Sequence, residues 1–147
     1  MKGQWIGAYE GSLDGKIMVN IDEVDNHYEG VAYILPSIED DPVPASVAYF
    51  STDDKSSEHS VEAYINAVDP RTGFQCKWEE IKKLYIEGVS HSERANVTLK
   101  LIDDNLHIDA TTDIGVTLSS ILAKPRKEDK SKILGKNMLW SDFKSYI

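Results

Sequence analysis

Cys76 is the one cysteine in the chain, and it stands beside Lys77 just ahead of a stretch with helical periodicity. A neighbouring cation and a helix N-terminus both lower a thiol's pKa, which a nucleophilic thiolate needs. A nucleophile also needs a base at a defined position, and no base partner can be identified for Cys76, so it reads as structural. The four histidines, His27, His59, His91 and His107, lack the spacing by which two imidazoles reach one zinc ion. His27 falls at a hairpin end, and His107 alternates with Leu106 and Ile108 and so points away from their face. His107 with Asp109 or Asp113 is a set of titratable groups that an enzyme could couple. No G-x-S-x-G elbow accompanies it. The expectation is therefore a chain with no catalytic residue and no cofactor.

Three acidic clusters, Asp22-Glu23-Asp25, Glu39-Asp40-Asp41 and Asp53-Asp54, lack the regular oxygen spacing and bend glycine of a calcium loop. They read as solvated loop charge, and no metal site is expected. Gly11 to Lys16, GSLDGK, resembles a phosphate loop but has one residue too few between its glycines, and Ile17 stands where Ser or Thr would hold Mg²⁺. It reads as a hairpin turn. Asn96-Val97-Thr98 fits a glycosylation sequon, but no secretory signal precedes it and it reads as part of a strand.

The balance of 25 acidic against 16 basic side chains repels phosphate backbones, so nucleic acid is not an expected partner. Six cations gather between Lys124 and Lys136, but Glu128 and Asp129 interrupt them and no aromatic residue is there to stack on bases. No run of residues is apolar enough for a signal peptide or a membrane span, which points to the cytoplasm and away from a membrane.

The elements that must position these residues are mostly strands. Apolar and polar residues alternate over Trp5 to Tyr9, Lys16 to Val24, Tyr28 to Leu35, Ala45 to Ser51 and Val61 to Val68. The alternation resumes through Val97 to Leu101, Leu106 to Ala110 and Val116 to Ala123. Asp14-Gly15, Asp25-Asn26 and Asp103-Asp104-Asn105 supply turns between them. Residues 28–35 carry apolar groups on both faces, Tyr28, Ala32 and Ile34 against Val31, Tyr33 and Leu35, which predicts a strand covered on both sides. Trp78, Ile81 and Tyr85 share a helical face, with Glu79 and Glu80 in the first turn, Lys82 and Lys83 in the last and Gly88 as a stop. The prediction is an all-β domain of about eight strands, an antiparallel meander closed as a barrel or stacked as a sandwich, with one inserted helix. It spans 1–123. A charged linker follows over 124–138, and residues 139–147 begin a short C-terminal helix, capped by Ser141 and presenting Phe143, Tyr146 and Ile147.

Gly3-Gln4-Trp5 matches the G-x-W that opens many lipocalin-type barrels, where a late basic residue covers the tryptophan; Lys124 or Arg126 could do so here. Ile17, Val19, Ile21, Leu99, Leu101 and Leu118 are the expected inward residues, large enough to fill an eight-stranded barrel. A small apolar ligand in such a barrel is the alternative reading.

MKGQWIGAY at the start, HYEGVAY at 27–33, DPRTG at 69–73 with Trp78 and Ile81 after it, and TDIG at 112–115 resemble the N-terminal region of bacterial FRG-domain proteins. LWSDFKSYI at 139–147 resembles the helix that opens the FRG domain itself, although no Phe-Arg-Gly signature occurs in this chain. The resemblance implies a context, a larger bacterial protein with an FRG-type domain following; the acidic surface, the filled core and the missing chemistry then lead to the expectation of a non-catalytic β module that recognises a protein partner or regulates that adjacent domain. Trp5, Tyr9, Tyr33 and Tyr49 are then the candidate binding residues, with the tyrosines as an exposed aromatic cluster. Trp140, Phe143 and Tyr146 are the candidate interdomain contacts.

Overall fold

A computed structural model describes residues 1–12, 14–36, 45–68, 75–77, 93–124 and 137–139. Among these described residues there are ten strands: β1 (Gly3–Gly11), β2 (Gly15–Val24), β3 (His27–Pro36), β4 (Ala45–Ser51), β5 (Glu58–Val68), β6 (Gln75–Lys77), β7 (Glu93–Ile102), β8 (Asn105–Thr112), β9 (Thr117–Leu122) and β10 (Asn137–Leu139). Eight of them close into an antiparallel barrel in the order β1-β2-β3-β4-β5-β7-β8-β9. Closure removes the free sheet edges that a sandwich would leave. The predicted helix over 78–88 and the C-terminal helix lie outside the described residues.

Period-two alternation decides which side chains face inward. Trp5 and Tyr9 on β1, Ile17, Val19 and Ile21 on β2, Tyr28 and Ala32 on β3, and Ala48 and Phe50 on β4 all join one interior cluster. The far wall adds Ala63, Ala95, Val97, Leu99, Leu106, Ile108 and Leu122. Every inward residue expected from the sequence is in this cluster or packed against it. Gly30 is also inward, opposite Phe50, and a Cβ there would overlap the Phe50 ring, so a glycine is what lets that ring fill the barrel.

The end of the barrel that carries Gly3, Val24, Ser51 and Leu122 is called lower here, and the end that carries Gly11, Glu93 and Thr117 upper. At the lower end Ile102 pairs with Asn105 across a two-residue turn, and Asp103 and Asp104 both take left-handed φ, 49° and 64°, as a type I′ turn requires. The first hairpin differs from the expectation. Gly15 pairs with Tyr9 and Pro36 inside β2, so it belongs to the strand and not to the turn. The Asp-Gly signal is outweighed there by ladder bonds on both sides of Gly15. A second difference is a two-stranded sheet in which Met138 pairs with Cys76 and Leu139 with Gln75, two short segments without alternation in the sequence.

Candidate functional site

Among the described residues, three places bring chemically capable side chains together. The first is the lower plug. Trp5 is buried, its indole N–H donates to the Met1 carbonyl at 2.8 Å, and the Lys124 ammonium stands 5.1 Å from its ring centroid. Lys124 also donates to the Lys2 carbonyl at 3.0 Å, so the late basic residue expected over the tryptophan is Lys124. Burial and the nearby Lys124 charge push the Met1 amine below its ordinary pKa, with Glu23 acting in the opposite sense. The plug is a seal: the indole N–H and the Lys124 ammonium each donate to a backbone carbonyl at the barrel floor.

The second is the β4–β5 loop, where Ser56, Asp54 and His59 meet. Ser56 donates its hydroxyl and its backbone N–H to Asp54, the latter at 2.9 Å, and these bonds hold the Asp54 carboxyl below its usual range. A hydrolytic triad would put histidine between serine and aspartate. Here Asp54 is in the middle, the buried His59 ring bonds the Ser56 carbonyl through Nε2 at 2.7 Å, and its Nδ1 is 3.8 Å from Asp54. His59 also stands edge-on to Tyr28, ring centroids 6.1 Å apart. Nε2 is committed to the loop while Nδ1 stands 3.8 Å from Asp54, beyond hydrogen-bond distance, and the order of the groups is that of a fixed turn rather than of a triad. Thr52 completes it, accepting from the Tyr28 N–H at 2.8 Å and donating to the Asp54 carbonyl at 2.7 Å.

The third is the outer surface of the barrel. Met18, Val31, Tyr33, Val47 and Tyr49 point outward, yet all are buried, Tyr33 at 2% exposure and Tyr49 at 8%. The expected double covering of β3 is therefore present for Val31 and Tyr33. The register makes these residues one belt: Met18 faces Tyr33, Tyr33 faces Val47, and Val31 faces Tyr49. Burial, together with the Glu29 charge and a hydrogen bond to Glu29, pushes the Tyr49 hydroxyl up to about 12. Asn20, opposite Val31, has a buried Oδ1 that meets no hydrogen-bond partner among the described residues.

The belt continues past β2. Ile6 pairs with Met18, and the register that sets Tyr9 against Ser120 and Ile6 against Ala123 brings Ile121 beside Ala8. Here the covering stops: Ala8 and Ala123 are exposed, and Ile121 is 63% exposed. His107, part-buried, flanks Ile121 on β8, and Asp109 accepts a hydrogen bond from Ser119 at 2.7 Å. His107 and Asp109 thus belong to the outer wall on the far side of Ile121.

The exposed aromatic cluster expected from Tyr9, Tyr33 and Tyr49 is corrected by this geometry. Tyr9 lies inside the barrel, where burial and then the Asp14 charge push its hydroxyl up to about 12, while Tyr33 and Tyr49 lie on the opposite surface and are covered. Sequence parity separates Tyr33 from the inward Tyr28, and the apolar residues on both faces of 28–35 point to a covered outer face there; that Tyr49 is covered as well is a tertiary fact. Alternation sets Ile121 on the face opposite Leu118 and Leu122, but it was missed as a site because only the register with β1 and β8 shows that the belt lies uncovered there. Trp140, Phe143 and Tyr146 lie outside the described residues. Among the described residues, no three His, Cys, Asp or Glu are grouped to hold a metal ion, and no helix is long and apolar enough to cross a membrane. Comparison with family models, curated proteins and solved structures finds no match.

Proposed function

We propose that this barrel is a non-catalytic recognition module of a larger bacterial cytoplasmic protein, docking a protein partner through the uncovered end of its outer belt. The observation that carries the proposal is the continuity from the covered residues Tyr33 and Met18 to the part-buried Ile6 and the exposed Ala8 and Ile121. An exposed aliphatic side chain at the uncovered end of an otherwise buried belt is surface that association would remove from water. The resemblance to FRG-domain proteins makes an adjacent FRG-type domain the favoured occupant, with regulation of that domain as the consequence of docking.

The test is hydrogen exchange on this chain and on a version extended through an FRG-type domain. Slower exchange of β9 and β1 in the longer protein, abolished by Ile121→Lys, is the expected result. Equal exchange of those strands in both proteins would remove the proposal.

A further inference from the structure

We infer that the upper mouth of the barrel binds a small apolar molecule carrying an amine, with the Glu93 carboxylate as its receptor. This inference does not rest on the docking surface, which is on the opposite side of the barrel wall.

Glu93 is the first residue of β7 and shares its face with Ala95, Val97 and Leu99, all inward. It lies directly across from the inward Ile65 of β5. Its Oε1 is buried and, among the described residues, meets no hydrogen-bond partner. A carboxylate oxygen withdrawn from water without a donor is costly, and native structures rarely keep one without a use. The adjacent cation does not serve it: Arg94 points outward, 3.5 Å from Glu62 and 5.8 Å from the Tyr64 ring centroid.

The wall around Glu93 suits an apolar body. At the lower end Leu99, Leu106 and Leu122 are fully buried. In the upper half Ile34, Ile65, Ala110 and Leu118 face inward but are only partly buried, so solvent reaches that end. Five consecutive strands, β3, β4, β5, β7 and β8, each place an alanine on the inner wall (Ala32, Ala48, Ala63, Ala95 and Ala110). An eight-stranded barrel has room for its own side chains or one small ligand; four of these alanines are buried in the packed core, and Ala110, partly exposed opposite Leu118, is the small residue at the upper mouth. A protonated amine would supply the donor that Oε1 lacks, and its alkyl chain would lie against Ile65 and Leu118. The acidic surface, net −9, would also raise the local concentration of a cation.

The probes are n-hexylamine and n-hexanol, matched in length, titrated against the folded chain and followed by two-dimensional amide NMR. Hexylamine should give saturable shifts at Ile65, Ala95 and Leu118, with hexanol at least about tenfold weaker, as a charge-assisted bond predicts. Glu93→Gln, nearly isosteric, should bring hexylamine down to the hexanol level without lowering Tm. The inference is overturned if neither probe saturates, if the two bind equally, if shifts spread over surface carboxylates, or if Glu93→Gln leaves hexylamine binding intact. The comparison of the two probes requires no variant, so a misfolded Glu93→Gln would not blunt the test. A Glu93 that only supports the fold would lower Tm when changed and leave the amine preference where it was.

Discussion

Thr52 shows how one side chain can hold two strands and a loop. Its hydroxyl accepts from the Tyr28 N–H and donates to the Asp54 carbonyl, and its own N–H bonds the Tyr28 carbonyl at 2.9 Å. Thr52→Val keeps the shape and removes the hydroxyl, leaving a buried N–H unpaired at a cost of about 1–3 kcal/mol. Urea unfolding should register that loss, whereas Ser51→Ala next door, on an exposed residue, should fall within about 0.5 kcal/mol of the parent. Lys124 offers the matching experiment at the plug. Lys124→Met keeps an apolar stem over Trp5 and deletes the charge, and should cost about 0.5–1 kcal/mol by the same measurement. Trp5→Ala, which empties the floor, should cost about 3–5 kcal/mol. The Trp5–Lys124 pair was legible in the sequence because G-x-W and a late lysine are local signs. Thr52 was not, since nothing in the sequence shows that residue 52 meets residue 28.

At the scale of elements, β1 and β4 each bury a tyrosine, one facing the interior and one the outer belt. Tyr9 and Tyr49 are both held neutral up to about 12, against an ordinary value of 10. Because the folded protein prefers the protonated phenol, this contribution is fully present below pH 10 and is lost as pH rises from 10 towards 12. Two units correspond to about 2–3 kcal/mol per tyrosine before allowance for partial hydration, so the barrel should unfold in that window. Tyrosinate absorbance and far-ultraviolet circular dichroism should then change together, and Tyr49→Phe should move the unfolding midpoint to higher pH. Titration of all seven tyrosines near 10 with the fold intact would contradict this. The strands themselves were readable, since alternation predicts the inward set from Ile17 to Leu118 without error. The outer belt was readable only on β3, where apolar residues on both faces predicted a double covering; for Met18, Val47 and Tyr49 alternation records which residues share a face and says nothing about what lies against it. The first turn was misplaced for a related reason: an Asp-Gly pair is a local preference, and the pairing of Gly15 with both Tyr9 and Pro36 is worth more.

At the scale of the whole molecule, the barrel is unevenly closed. Ten residue pairs join β2 to β3, while three pairs and one isolated bridge join β1 to β9. Between those pairs the seam is held by other means. Ser120, facing inward, donates to the Ala8 carbonyl at 2.6 Å, and Ser12 and Thr117 lock the upper corner through two backbone-anchored bonds of 3.1 and 2.9 Å. Gly7 permits the approach, since a Cβ there would lie 2.9 Å from Leu122 Cδ2 and 3.1 Å from the Ile121 carbonyl. A shorter ladder opens at lower free energy than its neighbours. Amides of β1 and β9 should therefore exchange faster than those of β2 and β3, and Ser120→Ala should speed them further while costing about 1 kcal/mol of global stability. The exposed Ile121 and Ala8 straddle this same seam, one on each strand. A partner seated on both would close the weakest joint of the barrel as it binds, so docking and barrel stability become one equilibrium, and each should raise the other by the same factor. Ser120→Ala should then weaken partner binding although Ser120 faces inward and touches no partner. Unchanged affinity in that variant, alongside faster seam exchange, would separate docking from barrel closure.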